Sequence, residues 1–204
     1  RLDRILRLDR DRSLVEVQAG VSWKGLADRL RPGDARTREL PTPCATVGQS
    51  IAWNAAGPDG RPTVTHVESL ALVTPDGQLR RVDRLTNPQL FALVVGGQGL
   101  FGAVYSATLR LQSLSQTVSE AQSASAATPA GEARAMELLV PPEQAQHLEQ
   151  DVRASCREWR TAAELLPPRR IRPEEETVLR WARREYVALT VLLGEPDTVG
   201  RAVR

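Results

Sequence analysis

Residues 97–102 read Gly-Gln-Gly-Leu-Phe-Gly, a literal G-x-G-x-x-G. In that pattern glycines let backbone approach a dinucleotide's pyrophosphate, provided that a strand precedes them and a helix N-terminus follows to face the charge. Here the order is reversed: residues 88–95 carry a helical pattern and residues 103–111 alternate as a strand. A Rossmann fingerprint is therefore rejected. Two readings remain, a helix C-cap with a tight turn into a strand, and a turn whose glycines let backbone pass close to a bound cofactor.

A second stretch with chemical potential is residues 40–63, LPTPCATVGQSIAWNAAGPDGRPT. Its Pro, Gly, Ser, Thr and Asn content predicts a loop. Yet Val47, Ile51, Ala52, Trp53, Ala55 and Ala56 make it too apolar for an ordinary surface loop. Small apolar residues suit backbone that must approach a ligand closely; the alternative is a buried loop packed by Trp53. Other chemistries find little material. Cys44 and Cys156 form no disulfide framework and fit no zinc spacing, and the only histidines are His66 and His147, so no metal site is expected. His66, beside a strand start, reads as a surface or satisfied histidine, and Arg169, Arg170 and Arg172 as a solvated face.

The elements that would position these stretches follow from periodicity. Residues 14–20 alternate as a strand, and Ser22 caps a short helix in which Trp23, Leu26, Ala27 and Leu30 share a side, ended by Pro32-Gly33. Residues 67–74 and 78–84 form a hairpin turned by Pro75-Asp76-Gly77. Asn87-Pro88 opens a helix that Gly96-Gly97 stops. Residues 113–134, rich in Ser, Ala, Gln and Thr, read as a linker. Beyond it come a strand near 135–142, a helix to about Arg160, a short strand at 169–172, a helix from Glu174 to Arg184 and a buried strand at 186–193. The fold class is α+β, with a mixed or antiparallel sheet over 13–112. The net charge of +2 in 204 residues gives nucleic acid no electrostatic hold, and no apolar run is long enough to span a bilayer.

Four segments taken in order resemble one family: VEVQAGVSWKGLADRL, ATVGQSIAWNAAG, VESLALVTPDGQLRRVDR and NPQLFALVVGGQGLFGAVYSATLRL. They are similar to the FAD-linked oxidases and dehydrogenases of the vanillyl-alcohol oxidase and p-cresol methylhydroxylase type. The nearest branch holds the cytokinin dehydrogenases and decaprenylphosphoryl-ribose oxidases. The resemblance implies a PCMH-type FAD-binding domain, its second subdomain over 1–112, and the beginning of an α+β substrate domain over 135–204. It implies FAD as cofactor, lined largely through backbone by Thr46, Val47, Gly48 and Gln49, then by Trp53, Asn54, Ala55, Ala56 and Gly57, with Gly102 and Val104 beyond the later turn. Three positions depart from the family pattern: Gln49 stands for a glycine, Ala56 for a histidine, and Gln98 for an aromatic or small residue.

The function so implied is transfer of a hydride from an alcohol- or amine-bearing carbon of a small molecule to flavin N5, with oxygen or another electron acceptor. No residue matches a family base, so the catalytic residues stay unassigned. The family's first FAD subdomain is expected before Arg1 and the rest of its substrate domain after Arg204. A cytoplasmic location is the expectation. The alternative is a non-catalytic or truncated relative that does not bind flavin by itself. The missing subdomain, Gln49 and Ala56 favour that alternative; retention of Thr46-Val47-Gly48, Asn54, Gly57 and the glycine turn weighs against it.

Overall fold

The computed structural model describes residues 1–30, 45–57, 59–111, 134–158 and 163–193. Two antiparallel sheets organise them. The first has the order β1-β2-β5-β3-β4, from β1 (Ile5–Asp9), β2 (Leu14–Gln18), β3 (Val67–Val73), β4 (Leu79–Asp83) and β5 (Ala103–Arg110). The expectation of a mixed or antiparallel sheet resolves to antiparallel throughout. β1, which its sequence did not disclose, pairs with β2 at the sheet edge, where three of its five residues are exposed. An edge strand with Arg and Leu facing water carries no clean alternation to read.

Alternation does place the core of this lobe. Val15 and Val17 of β2, Leu70 and Leu72 of β3, and Ala107 and Leu109 of β5 are all buried. They meet Leu26 of α1 (Trp23–Leu30), Val47 and Ile51 of α2 (Val47–Trp53), and Phe91 and Val94 of α3 (Pro88–Val94) in one cluster. Each fully buried aliphatic side chain contributes roughly 1.5–3 kcal/mol by leaving water. α1 begins where expected, with Ser22 Oγ accepting the Gly25 N–H at 3.0 Å. The Pro32-Gly33 stop, Cys44 and the 113–133 part of the linker lie outside the described residues. The 75–77 turn closes as predicted, with the Thr74 N–H bonded to the Gln78 carbonyl at 3.0 Å.

α2 corrects the reading of 40–63 as loop. Thr46, with extended φ and ψ of −121° and 158°, is its N-cap and accepts the Gln49 N–H at 3.3 Å. Gln49 Oε1 in return accepts the Ala45 N–H at 3.0 Å. Thr46-Val-Gly-Gln49 is thus close to a capping box, and Val47, Ser50 and Ile51 are its buried positions at helical spacing. The helix is seven residues long and its glycine and serine are weak helix formers, which hid it in a turn-rich composition.

The second sheet centres on β9 (Tyr186–Leu193), flanked by β6 (Arg134–Val140) on one side and by β7 (Ala163–Leu165) and β8 (Arg169–Ile171) on the other. α4 (Pro142–Glu158) packs against β9. Val187, Ala188, Leu189 and Val191 of β9 are all buried, so this strand is covered on both faces.

The helix expected from Glu174 to Arg184 is not formed. The Glu174 carboxylate takes the N–H groups of Glu176 at 2.9 Å and Thr177 at 3.0 Å, as a helix cap would. The chain then leaves helical bonding: the Val178 N–H goes to the Ala92 carbonyl at 3.0 Å and the Glu174 N–H to the Ala182 carbonyl at 3.1 Å. One bond to the first lobe and one across the segment itself replace the i→i−4 ladder, a tertiary override of local preference. Of the acidic first turn that argued for a helix, Glu176 pairs instead with Arg84 at 2.6 Å, and Arg184 of the basic last turn lies over the Tyr186 ring.

Candidate functional site

α2 and the turn after it carry nine of the eleven residues that the family resemblance assigns to a cofactor. The helix is about 10 Å long, so these residues do not converge on one point. Thr46, Val47, Gly48 and Gln49 sit at its start; Trp53, Asn54, Ala55, Ala56 and Gly57 sit at its end and beyond.

The start of α2 is pressed against the end of β2. The Val47 N–H donates to the Val21 carbonyl at 3.0 Å and the Gly48 N–H to the Ala19 carbonyl at 2.7 Å. A Cβ on Gly48 would stand 2.8 Å from both Ala19 Cβ and Ala19 O, so this close approach needs glycine. With Gln49 bonded to its cap and the Ser50 N–H to the Thr46 carbonyl at 3.0 Å, the N–H groups of residues 47–50 all have protein acceptors. These donors are spent on folding the segment.

At the other end, Asn54 is the C-cap of α2, in the left-handed region at φ 45°. It is buried, and every polar atom of its side chain is bonded: Oδ1 accepts the Val64 N–H at 2.9 Å, and Nδ2 donates to Glu174 Oε1 at 3.1 Å. Its carbonyl accepts the Trp181 indole N–H at 3.1 Å. Ala56 packs with Ile171, Ala182 and Ala188, and Trp181 and Tyr186 close over that cluster. Asn54 and Ala56 therefore face the second lobe.

The glycine turn is tied to the same helix. The Gly96 N–H donates to the Ile51 carbonyl at 2.9 Å and the Gln98 N–H to the Ala52 carbonyl at 3.0 Å, so the turn supplies partners for the end of α2. Gly97 does the same for α3 through the Val94 carbonyl at 3.1 Å. Gly102, at φ 141°, lies so close to β3 that a Cβ would stand 2.6 Å from the Val73 carbonyl oxygen. Val104, half-buried, pairs with Leu72 two residues further on.

What remains open is one edge of α2. Gln49 and Trp53, four residues apart and hence on one helix face, are both exposed, Trp53 at 54%. Among the described residues this is where a planar aromatic ring and an amide lie together on this helix.

Sequence reasoning missed other groups at the site. Arg169 is not part of a solvated face: its side chain is 18% exposed, pairs with Glu137 at 2.9 Å, and donates to the carbonyls of Ala56 and Gly57. Strand alternation offered the signal, since Arg169 and the buried Ile171 share one side of β8. Glu174 and Trp181 carried no such signal, because their roles depend on the unformed helix. His66 is neither on the surface nor satisfied. It is buried, its Nε2 lies 3.3 Å from Asp59 Oδ2, and neither ring nitrogen meets hydrogen-bond geometry.

Burial, the largest single influence on Asp59, pushes its carboxyl up, but the His66 imidazole, the Arg61 N–H and the Arg61 charge together hold it below the ordinary value of 3.8. A lowered folded value means that Asp59 stabilises the fold above the unfolded carboxylate range, and that this contribution is lost as pH falls through the lowered value. Melting wild type and Asp59→Asn from pH 6 down to about 3 should show a gap that narrows with acid; a gap that widens would contradict the pairing.

Comparison with known proteins gives this geometry a context. Residues 1–83 match the family model described as the FAD binding domain. The chain is 31% identical over 109 residues to the uncharacterized oxidoreductase ORF5 in the fasciation locus of Rhodococcoides fascians, covering 50% of this chain and 24% of that protein. It is 33% identical over 115 residues to the decaprenylphosphoryl-β-D-ribose oxidase of Mycolicibacterium smegmatis, covering 54% of this chain and 25% of that protein. The aligned stretch thus spans about a quarter of each of these curated relatives.

The donor set fits FAD in part. The exposed Gln49–Trp53 edge suits a planar ring with a polar rim. The committed N–H groups of residues 47–50 leave that turn without the free donors a pyrophosphate requires, so backbone capture of phosphate at 46–50 does not fit.

Proposed function

We propose, from the match of residues 1–83 to the FAD binding domain model, that the protein carrying this chain is an FAD-dependent oxidoreductase acting on an alcohol- or amine-bearing carbon of a small molecule. The observation that carries the reading is the match over residues 1–83. The similarity to two oxidoreductases, one of them named a decaprenylphosphoryl-ribose oxidase, supports it. When bound, FAD supplies the hydride acceptor at N5 and passes the electrons on to oxygen or another acceptor.

This chain's part in that chemistry is to shape one wall. Gln49 and Trp53 offer the surface on which a flavin ring would rest, Trp53 by its face and Gln49 by its amide. Asn54, with Trp181 and Glu174, fixes the left-handed turn that carries the chain from α2 into 55–57. Gly102 keeps the start of β5 tight on β3, and so places the backbone of Val104. Residues 1–112 are read as the second subdomain of the FAD-binding domain, and 135–204 as the opening of a substrate domain that packs on the 54–57 turn. Among the described residues none is proposed as a base toward a substrate.

A second reading rests on one observation, the committed N–H groups at the start of α2. It holds that this chain alone does not retain flavin. The two readings differ over what else the cofactor needs, not over the fold. Anaerobic mixing of the flavin-loaded protein with a panel of alcohols and amines tests the activity. Bleaching of the visible flavin band by at least one class is expected. A band that sodium dithionite bleaches and no alcohol or amine does would contradict the proposed substrate chemistry.

A further inference from the structure

We propose that Arg169 is a positioning residue, which from β8 holds the carbonyl oxygens of Ala56 and Gly57 turned into the second lobe and so sets the backbone beside the flavin. The proposal rests on the flavin reading above.

Every carbonyl from Asn54 to Gly57 is taken by a donor. Asn54 O accepts the Trp181 indole at 3.1 Å, and Ala55 O accepts the Thr63 N–H at 2.9 Å and the Thr63 hydroxyl at 2.7 Å. Ala56 O faces Arg169 Nη1 at 3.4 Å, and Gly57 O accepts from the same nitrogen and from the Gly60 N–H at 3.0 Å. Ala56 O thus depends on Arg169 for its donor, and Gly57 O receives its charged donor from the same group. Glu137 on β6 anchors the other guanidinium nitrogen at 2.9 Å, and both side chains are mostly buried.

A planar guanidinium can span a carboxylate on one side and two carbonyls on the other, which an ammonium cannot. A carbonyl turned away also matters to a flavin, whose own ring edge carries carbonyl oxygens that backbone carbonyls would repel. Gly57 and Ala56 offer no side chain to set this backbone by packing on the cofactor side. The orientation is imposed from the second lobe, through one side chain more than 110 positions away in the chain, as the 113- and 112-residue separations of its two contacts show.

The test uses the protein as its complete gene encodes it, with Arg169→Met and Arg169→Lys. FAD affinity, the visible circular dichroism of the bound flavin and melting of the flavin-free form are measured together. Arg169→Met should weaken FAD roughly tenfold, as loss of a charge-assisted hydrogen bond implies, and should alter the visible dichroism. Arg169→Lys should recover part of both, with flavin-free melting close to that of wild type. If Arg169→Met does not fold, Arg169→Lys decides: an affinity and dichroism equal to wild type would overturn the proposal. Loss of flavin-free stability in either variant with unchanged flavin affinity and dichroism would also overturn it. A wild-type protein that holds no flavin would remove the reading beneath the proposal, and the proposal with it.

Discussion

Replacing Asn54 with alanine is expected to lower the stability of the protein by about 3–4 kcal/mol, from three losses that act together. The Val64 N–H is left without its acceptor in a buried site, at about 1–3 kcal/mol. Glu174 loses one of the donors that satisfy its buried carboxylate. Alanine must also take the left-handed conformation at φ 45°, which costs about 1 kcal/mol or more without an Asx side chain. Asn54→Gly relieves only the last of these and should recover about 1 kcal/mol. Asn54→Asp keeps the acceptor for Val64 but sets a carboxylate against Glu174, and should be worse than alanine at neutral pH and improve on acidification. Urea unfolding of the three variants checks the order; a loss below about 1 kcal/mol for alanine would show that the contacts between the lobes at Asn54 carry little weight.

Gly102→Ala is expected to cost a similar amount, about 3–4 kcal/mol, for a different reason. At φ 141° a side chain is strained, and the new Cβ meets the Val73 carbonyl and the Leu72 side chain, both on β3. Neither strand can yield easily, because β5 is paired on both sides, to β3 and to β2. Relief has to come from a shift of the start of β5, which carries Val104. Thermal melting of the flavin-free protein reads the strain, and flavin retention reads the shift. A variant that melts like wild type would show that the turn has room the structure denies it.

The lessons of the sequence are uneven, and the reasons are physical. β2, β3, β5 and β9 were legible, because one-sided or full burial writes itself as alternation or as an apolar run, and β4 was legible from the Pro75-Asp76-Gly77 turn before it. α1, α3 and α4 were legible from caps and amphipathic spacing. β1 and β7 lacked such a pattern, as an edge strand and a three-residue strand do. α2 hid behind glycine and serine, although Thr46 and Gln49 stood at capping-box spacing. The 174–184 helix was read from charge placement, which the chain uses instead for a Glu174-capped turn and for contacts with Asn54, Ala92 and Arg84.

The candidate site divides along the same line. Small residues in an apolar stretch marked where backbone is closely approached, because close approach leaves a compositional trace. What those residues approach was less legible. Gly48 makes its close approach to Ala19, and Ala56 packs under Trp181 and Tyr186. Contacts between segments more than 100 positions apart, such as Asn54 with Glu174, leave no local pattern to read.

The most direct test is a visible absorption spectrum after desalting, taken on this chain mixed with FAD and on the longest product of its gene treated alike. The account predicts flavin bands retained by the longer form. It predicts none on residues 1–204 alone, whose 47–50 turn has no donors left for phosphate. Flavin absent from both would contradict the assignment to an FAD-dependent oxidoreductase.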